Sequence, residues 1–195
     1  MNGVEQYELS SGGAGKITGA LVRKWPLGKC EGAVADDVAG KIYVTVEDEG
    51  VWEFAGDPDE PVAPNDLKSG KLILKVGDHG LKADLEGIAL FPTSAFEGYL
   101  IVSSQGSSSF HVFDRMGNHR FIGSFAVEGA GQTDGIDAIP TGLGTDFPQG
   151  MFACHTDSDG HPLLITSWSA IANAFRPNLS VNSNFDPRHK FPATR

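Results

Sequence analysis

The chain contains the stretch Glu31-Gly32-Ala33-Val34-Ala35, in which an acidic residue and a glycine precede small apolar residues. The pattern returns as Glu86-Gly87-Ile88-Ala89-Leu90 and as Asp134-Gly135-Ile136-Asp137-Ala138, so the copies begin 55 and 48 residues apart. A second short apolar stretch follows each copy, at residues 41–47, 98–105 and 150–155. Repeats of roughly 40 to 50 residues made of short strands are typical of β-propellers. The chain is therefore predicted to be all-β, with about three to four propeller blades.

The acidic residue of each copy opens the innermost predicted strand, and equivalent positions of radially arranged blades converge on one axis. Asp84 lies two residues before Glu86 and points the same way, because strand side chains alternate with a period of two. Polar residues also close the next strands. Oxygen donors of this kind suit Ca²⁺, which takes six to eight of them, better than Zn²⁺. The predicted metal ligands are Glu31, Glu47, Asp84, Glu86, Gln105 and Asp134.

A plainer interpretation of the same residues remains open. Glu-Gly and Asp-Gly are also common turn dipeptides on solvated loops. The stretch Asp157-Ser158-Asp159-Gly160 is such a case: it resembles the start of a calcium loop but lacks the glutamate that would complete one. It is predicted to be a turn.

Composition and charge exclude several classes of function. The 195 residues suffice for one domain with a core, and 40% hydrophobic with 21% charged residues is ordinary for a globular protein. The net charge of −10 argues against nucleic acid as a partner. No apolar run is long enough to span a membrane, and the first 30 residues do not resemble a signal peptide.

The predicted blades occupy residues 1–175, and residues 176–195 are expected to form a loosely ordered C-terminal tail. A hairpin of residues 6–9 and 16–25 comes first, with its turn around residues 10–13. Complete units follow from about residues 29 and 83, with strands predicted at 32–35, 42–45, 51–54 and 72–76 and at 87–91, 99–103, 109–114 and 120–127. A compressed third unit starts at Thr133, and 163–165 is the candidate for its outer strand. Residues 56–66 are expected to form an exposed loop, and residues 168–175 one or two helical turns. Closed propellers have about four to eight blades, so we expect a part of a larger propeller or self-association.

The chain resembles the β-propeller phytases, which are calcium-dependent alkaline phytases. The matching stretches run in colinear order from about residue 5 to residue 155, and Trp168-Ser169-Ala170-Ile171-Ala172 resembles the family's closing segment. They are 5–9, 30–37, 47–54, 84–88, 99–106 and 133–137. The resemblance implies a six-bladed propeller whose central channel is lined with calcium. It also implies that the six predicted ligands named above fall on the family's calcium ligands.

The resemblance further implies hydrolysis of myo-inositol hexakisphosphate (phytate) by a metal-activated water. No catalytic residue is assigned; Glu31, Glu47 and Glu86 are the candidates, acting through bound calcium. The family has two Asp-Gly steps where this chain supplies only Asp134, so one ligand is missing or replaced by Glu128. The family's phosphate-gripping basic residues lie upstream of the match, so the chain resembles the C-terminal half of a phytase. Secretion or a periplasmic location is implied in the same way.

Three functions follow from the residues and the resemblance. The first is a phytase-type phosphomonoesterase, for which this chain supplies the calcium side of the site. The second is a non-catalytic calcium-binding module built from phytase-like blades. The third is a propeller similar to sugar lactonases, which also use calcium and carboxylates. Activity on phytate, binding without hydrolysis, or activity on lactones distinguishes them.

Overall fold

The computed structural model describes residues 3–57, 70–157, 160 and 162–187. Within them the chain forms thirteen β-strands and one α-helix, arranged as four separate antiparallel sheets. This all-β architecture of small sheets is compatible with propeller blades, as predicted. Among the described residues the sheets do not close on themselves. No helix in this part of the chain is long and apolar enough to cross a membrane.

The chain begins with a two-stranded hairpin of β1 (Val4–Gly13) and β2 (Lys16–Trp25). The sheets of the three units that follow it are called the first, second and third sheets. The hairpin strands extend past the predicted turn around residues 10–13, and the chain reverses at Ala14 and Gly15 instead. Both residues have positive φ angles, of 47° and 74°. A two-residue hairpin loop with positive φ at both positions follows the right-handed twist of the flanking strands. The predicted hairpin is therefore confirmed, but its turn lies at residues 14–15, directly after the predicted 10–13.

The two complete units each form a four-stranded sheet in chain order, and the strand predictions are confirmed to within a few residues. Strands of the first unit are β3 (Cys30–Asp36), β4 (Lys41–Val46), β5 (Gly50–Ala55) and β6 (Gly70–Lys75). Strands of the second unit are β7 (Leu85–Pro92), β8 (Gly98–Ser104), β9 (Ser109–Asp114) and β10 (Phe121–Phe125). The predicted loop at residues 56–66 lies mostly outside the described residues.

The third unit is compressed, as predicted. Its three-stranded sheet contains β11 (Ile136–Ile139), β12 (Met151–His155) and β13 (Leu163–Ser167). The predicted helical turns follow as α1 (Trp168–Ala174). Trp168 is fully buried and stacks on Phe91, with ring centroids 3.8 Å apart. The helix thereby packs onto the second sheet.

The hydrophobic core lies between successive sheets. On β8, Tyr99 and Ile101 pack toward the third sheet, whereas Leu100 and Val102 pack toward the first. Alternate strand residues point to opposite faces, so a strand covered on both faces is apolar throughout. A third cluster, which includes Trp25 and Phe54, joins the hairpin to the first complete sheet. This face-to-face stacking brings equivalent strands of neighbouring sheets side by side.

A buried ion pair joins the first and second complete sheets at the far end of β3. Arg115 Nε donates to Asp36 Oδ2 at 2.5 Å and Arg115 Nη2 donates to Asp36 Oδ1 at 2.6 Å. Both side chains are at least 97% buried. A bidentate guanidinium–carboxylate pair is directional as well as strong, so it holds the two sheets in one relative orientation.

The start of the predicted tail is well packed. Leu179 is buried, the Ser180 amide donates to the Tyr99 hydroxyl at 2.6 Å, and Asn182 Nδ2 donates to the Thr93 carbonyl at 3.0 Å. These contacts hold residues 179–182 on the second sheet, so this part of the predicted tail is not loosely packed. Residues 188–195 lie outside the described residues, and the domain boundary at residue 175 stays a prediction.

Candidate metal-binding site

The glycines of the repeated acid–glycine pairs bring the innermost strands of neighbouring sheets into backbone contact. A Cβ atom at Gly32 would lie 2.6 Å from the Glu86 carbonyl oxygen, and one at Gly87 would lie 2.5 Å from the Ile136 nitrogen. The Gly87 amide donates to the Asp134 carbonyl at 3.0 Å. Only glycine permits an approach this close, so the pairs are packing elements and not solvated turns in the first two copies.

Residues at or just after the ends of the second strands are held to the innermost strands by backbone hydrogen bonds, and those of Glu47 and Gln105 are at equivalent places. The Glu47 amide donates to the Lys29 carbonyl at 3.0 Å, and the Gln105 amide donates to the Asp84 carbonyl at 2.9 Å. In the third sheet, the His155 amide donates to the Gly135 carbonyl at 2.8 Å. The first and second sheets are also joined there, because the Leu85 amide donates to the Glu47 carbonyl at 2.9 Å. The site thus draws on the same edge of three sheets.

Three predicted ligands form a compact acidic cluster, which we call the central carboxylates: Glu47, Asp84 and Glu86. One carboxylate oxygen from each lies within 4.8 Å of the others. Glu86 is 5% exposed, whereas Glu47 and Asp84 are half-buried. Close carboxylates repel one another strongly in a partly dry site, and this repulsion is relieved when a cation binds between them. Hard oxygen donors in this arrangement fit Ca²⁺.

Burial is the main reason that the pKa of Glu86 is raised to about 7, and the negative charges of Glu31, Asp134 and Glu47 add to it. The ordinary value is 4.5. Without a cation, part of the Glu86 population therefore carries a proton near neutral pH. A bound cation would favour the ionised form, since an opposite charge lowers the pKa of a carboxyl group.

We expect the free energy of unfolding of the metal-free protein to fall as pH rises from about 4.5 to 7 because of Glu86. In that interval the folded protein retains a proton that the unfolded chain has released, so a rise in pH favours unfolding. Urea unfolding in chelator at several pH values measures this effect. The Glu86→Gln variant should lose this part of the pH dependence; equal slopes for the two proteins would contradict the prediction.

Glu31 joins the central carboxylates through a lysine and not directly. Lys29 Nζ lies 2.6 Å from Glu47 Oε1 and 3.1 Å from Glu31 Oε1. Hydrogen bonds to Glu47 and then to Glu31 raise the pKa of Lys29 above its ordinary value, so the amine stays charged. Lys29 is not among the predicted site residues, because nothing in the sequence places its amine between two predicted ligands.

Gln105, which follows β8 of the second sheet, meets Asp134, which precedes β11 of the third: Gln105 Nε2 donates to Asp134 Oδ1 at 2.8 Å. His155 was not predicted to belong to the site. Its Nδ1 lies 2.7 Å from Asp134 Oδ2 and its Nε2 lies 3.6 Å from Asp157 Oδ1, so the ring lies between two carboxylates. No motif marks His155 in the sequence: it ends β12 opposite Gly135, whereas Glu47 and Gln105 lie opposite the residues two positions before Glu31 and Glu86.

Two further expectations concern the edges of the site. Glu128 is exposed and is not among the described residues that group within 4.8 Å as possible metal ligands. The predicted turn at residues 157–160 lies partly outside the described residues, although Asp157 itself approaches His155. The six predicted ligands thus lie at one edge of three sheets: three form the central carboxylates, and the others flank them.

The fold and the site define a protein of propeller-like blades with an acidic centre whose carboxylates are close enough together to hold a metal ion. The family model described as Phytase matches residues 2–191. A 3-phytase of Bacillus subtilis (strain 168) is 33% identical over 199 residues, which cover 94% of this chain and 50% of that protein. The chain therefore belongs to the phytase family. It spans about half the length of the curated relative that it matches.

Proposed function

We propose that this chain takes part in calcium-dependent hydrolysis of phosphomonoesters of phytate and carries the calcium-binding half of the site. The observation that carries the proposal is the close grouping of Glu47, Asp84 and the buried Glu86. Membership of the phytase family, and the 3-phytase activity named for its relative, support the choice of substrate. The hydrolysis is of the phosphate ester bond by water.

The donor set supports calcium as the cation. Glu47, Asp84 and Glu86 offer only carboxylate oxygens at the centre, and the Gln105 amide and the Asp134 carboxylate lie beside them. Bound calcium would offset the charge of an anionic phosphate and make a water molecule more acidic.

The chain's own contribution is to hold its carboxylates close together on rigid strands. Backbone contacts at Gly32 and Gly87 maintain that spacing.

The half-length of the chain bears on the rest of the site. The chain spans 50% of its 3-phytase relative, so we propose that further residues complete the substrate site. These would come from an N-terminal half or from a second copy of this chain. A location outside the cytoplasm, which the resemblance implies, is likewise a proposal.

The deciding experiment is phosphate release from phytate by the purified protein, in millimolar calcium and in excess chelator. We expect calcium-dependent phosphate release when this chain is assayed together with the residues that complete the site. The Glu86→Gln variant should lose at least tenfold of that activity. Glutamine keeps the shape of Glu86 and removes the charge that binds the cation. Glu8→Gln is the matched control, because Glu8 is exposed on β1 away from the central carboxylates.

Release that is insensitive to chelator, or equal in the Glu86→Gln variant, would contradict the proposed function. The second candidate is a non-catalytic calcium-binding module, which is favoured by the half-length match. That function predicts calcium-dependent retention of phytate without phosphate release, as measured by calorimetry and a phosphate assay on the same sample.

A further inference from the structure

We propose that Lys29 is a built-in cation of the first sheet that competes with calcium for Glu31 and Glu47. The ammonium group occupies the place between these carboxylates that a divalent cation would otherwise take. The inference rests on the proposed function for the identity of the metal. It goes beyond that function because it assigns to a lysine the control of calcium affinity.

Lys29 contacts two of the predicted calcium ligands at once. Its amine lies 2.6 Å from Glu47 and 3.1 Å from Glu31, so one cation satisfies two carboxylates from different strand ends. Glu47 is also one of the central carboxylates. A calcium ion that binds there must share Glu47 with the ammonium or displace it. The lysine side chain is 57% exposed, so it is free to leave into solvent.

The first and second sheets carry opposite charges at one equivalent position. The carbonyls of Lys29 and Asp84 accept equivalent backbone hydrogen bonds, from Glu47 and Gln105 respectively. Each is followed two residues later by a glutamate, Glu31 or Glu86. At the position where the second sheet has the Asp84 carboxylate, the first sheet has the Lys29 amine. This exchange inverts the charge at one register position of an otherwise similar site.

In the third sheet a ring nitrogen group takes a comparable place, since His155 lies between Asp134 and Asp157. Within the described part of the chain, neither Asp84 nor Glu86 forms an ion pair with a basic side chain. Nitrogen groups therefore flank the acidic site on both sides, and its centre is left for an external cation. Lys29 is the flanking group that shares a carboxylate with that centre.

The test is calcium binding by metal-depleted protein, measured by isothermal titration calorimetry at low ionic strength. We expect Lys29→Gln to bind calcium about tenfold more tightly than the wild type, because a unit positive charge near a divalent cation is removed. Lys29→Arg, which keeps the charge, should bind within about threefold of the wild type. Lys24→Gln is the matched control, since Lys24 pairs with Glu5 on the hairpin instead.

Equal or weaker calcium binding by Lys29→Gln would overturn the inference, since it would show that Lys29 merely orients Glu47. Lys29→Met serves the same purpose if the glutamine variant does not fold. Calcium binding by the wild type with no change in the variant refutes only the role of Lys29. The absence of calcium binding in both proteins refutes this role and the proposed function together.

Discussion

Gly87→Ala is expected to lower the melting temperature by about 10 °C, which corresponds to a loss of roughly 3 kcal/mol in a chain of this size. The added Cβ would lie 2.5 Å from the Ile136 nitrogen and 2.6 Å from the Asp134 carbonyl oxygen. These are backbone atoms, so the strands themselves must separate. The change should also weaken calcium binding, because it displaces the strand that carries Glu86. Thermal unfolding and calcium titration measure the two effects.

The chain contains its own matched control for this substitution. Gly135 is the glycine of the third acid–glycine pair, and a Cβ atom there would meet nothing within 4 Å. Gly135→Ala should therefore change the melting temperature by no more than about 2 °C. Similar losses in both variants would show that the contact between β7 and the segment before β11 is not what requires glycine.

Removal of calcium is expected to lower the melting temperature by about 5 to 10 °C. A ligand present at a hundred times its dissociation constant stabilises the folded state by about 2.7 kcal/mol, and its removal reverses this. Removal also leaves Glu47, Asp84 and Glu86 within 4.8 Å of one another without a divalent counter-charge. Differential scanning calorimetry in calcium and in chelator gives the shift directly.

The Glu86→Gln variant should show a much smaller calcium-dependent shift, whereas Glu8→Gln should show the full one. Glutamine cannot supply the negative charge that makes Glu86 a strong calcium ligand. The variant should also be no less stable than the wild type in chelator near neutral pH, since it removes a buried carboxyl group. An unchanged shift in Glu86→Gln would show that Glu86 does not bind the cation.

Much of the fold could be predicted from the sequence because it depends on local patterns. Short apolar stretches between turn residues predicted the strands of both complete sheets, from β3 to β10, to within a few residues. The period of the acid–glycine pairs predicted which strands lie innermost. It also predicted that Glu47, Asp84 and Glu86 lie at the same edge of the sheets. These features follow from strand alternation and from register, which a repeated sequence carries within each unit.

Other properties of the site depend on which side chains meet across sheets, and these contacts arise only in the folded chain. Lys29 pairs with Glu31 and Glu47, and His155 lies between two carboxylates, although neither arrangement has a motif. The pKa of Glu86 is raised by burial between sheets and by carboxylates up to 55 residues away in the sequence. The strands, their repeats and the acidic edge follow from the pattern of residues along the chain. The charge balance at that edge was decided by tertiary packing, because burial and electrostatic interactions depend on distances in space and not on separation along the chain.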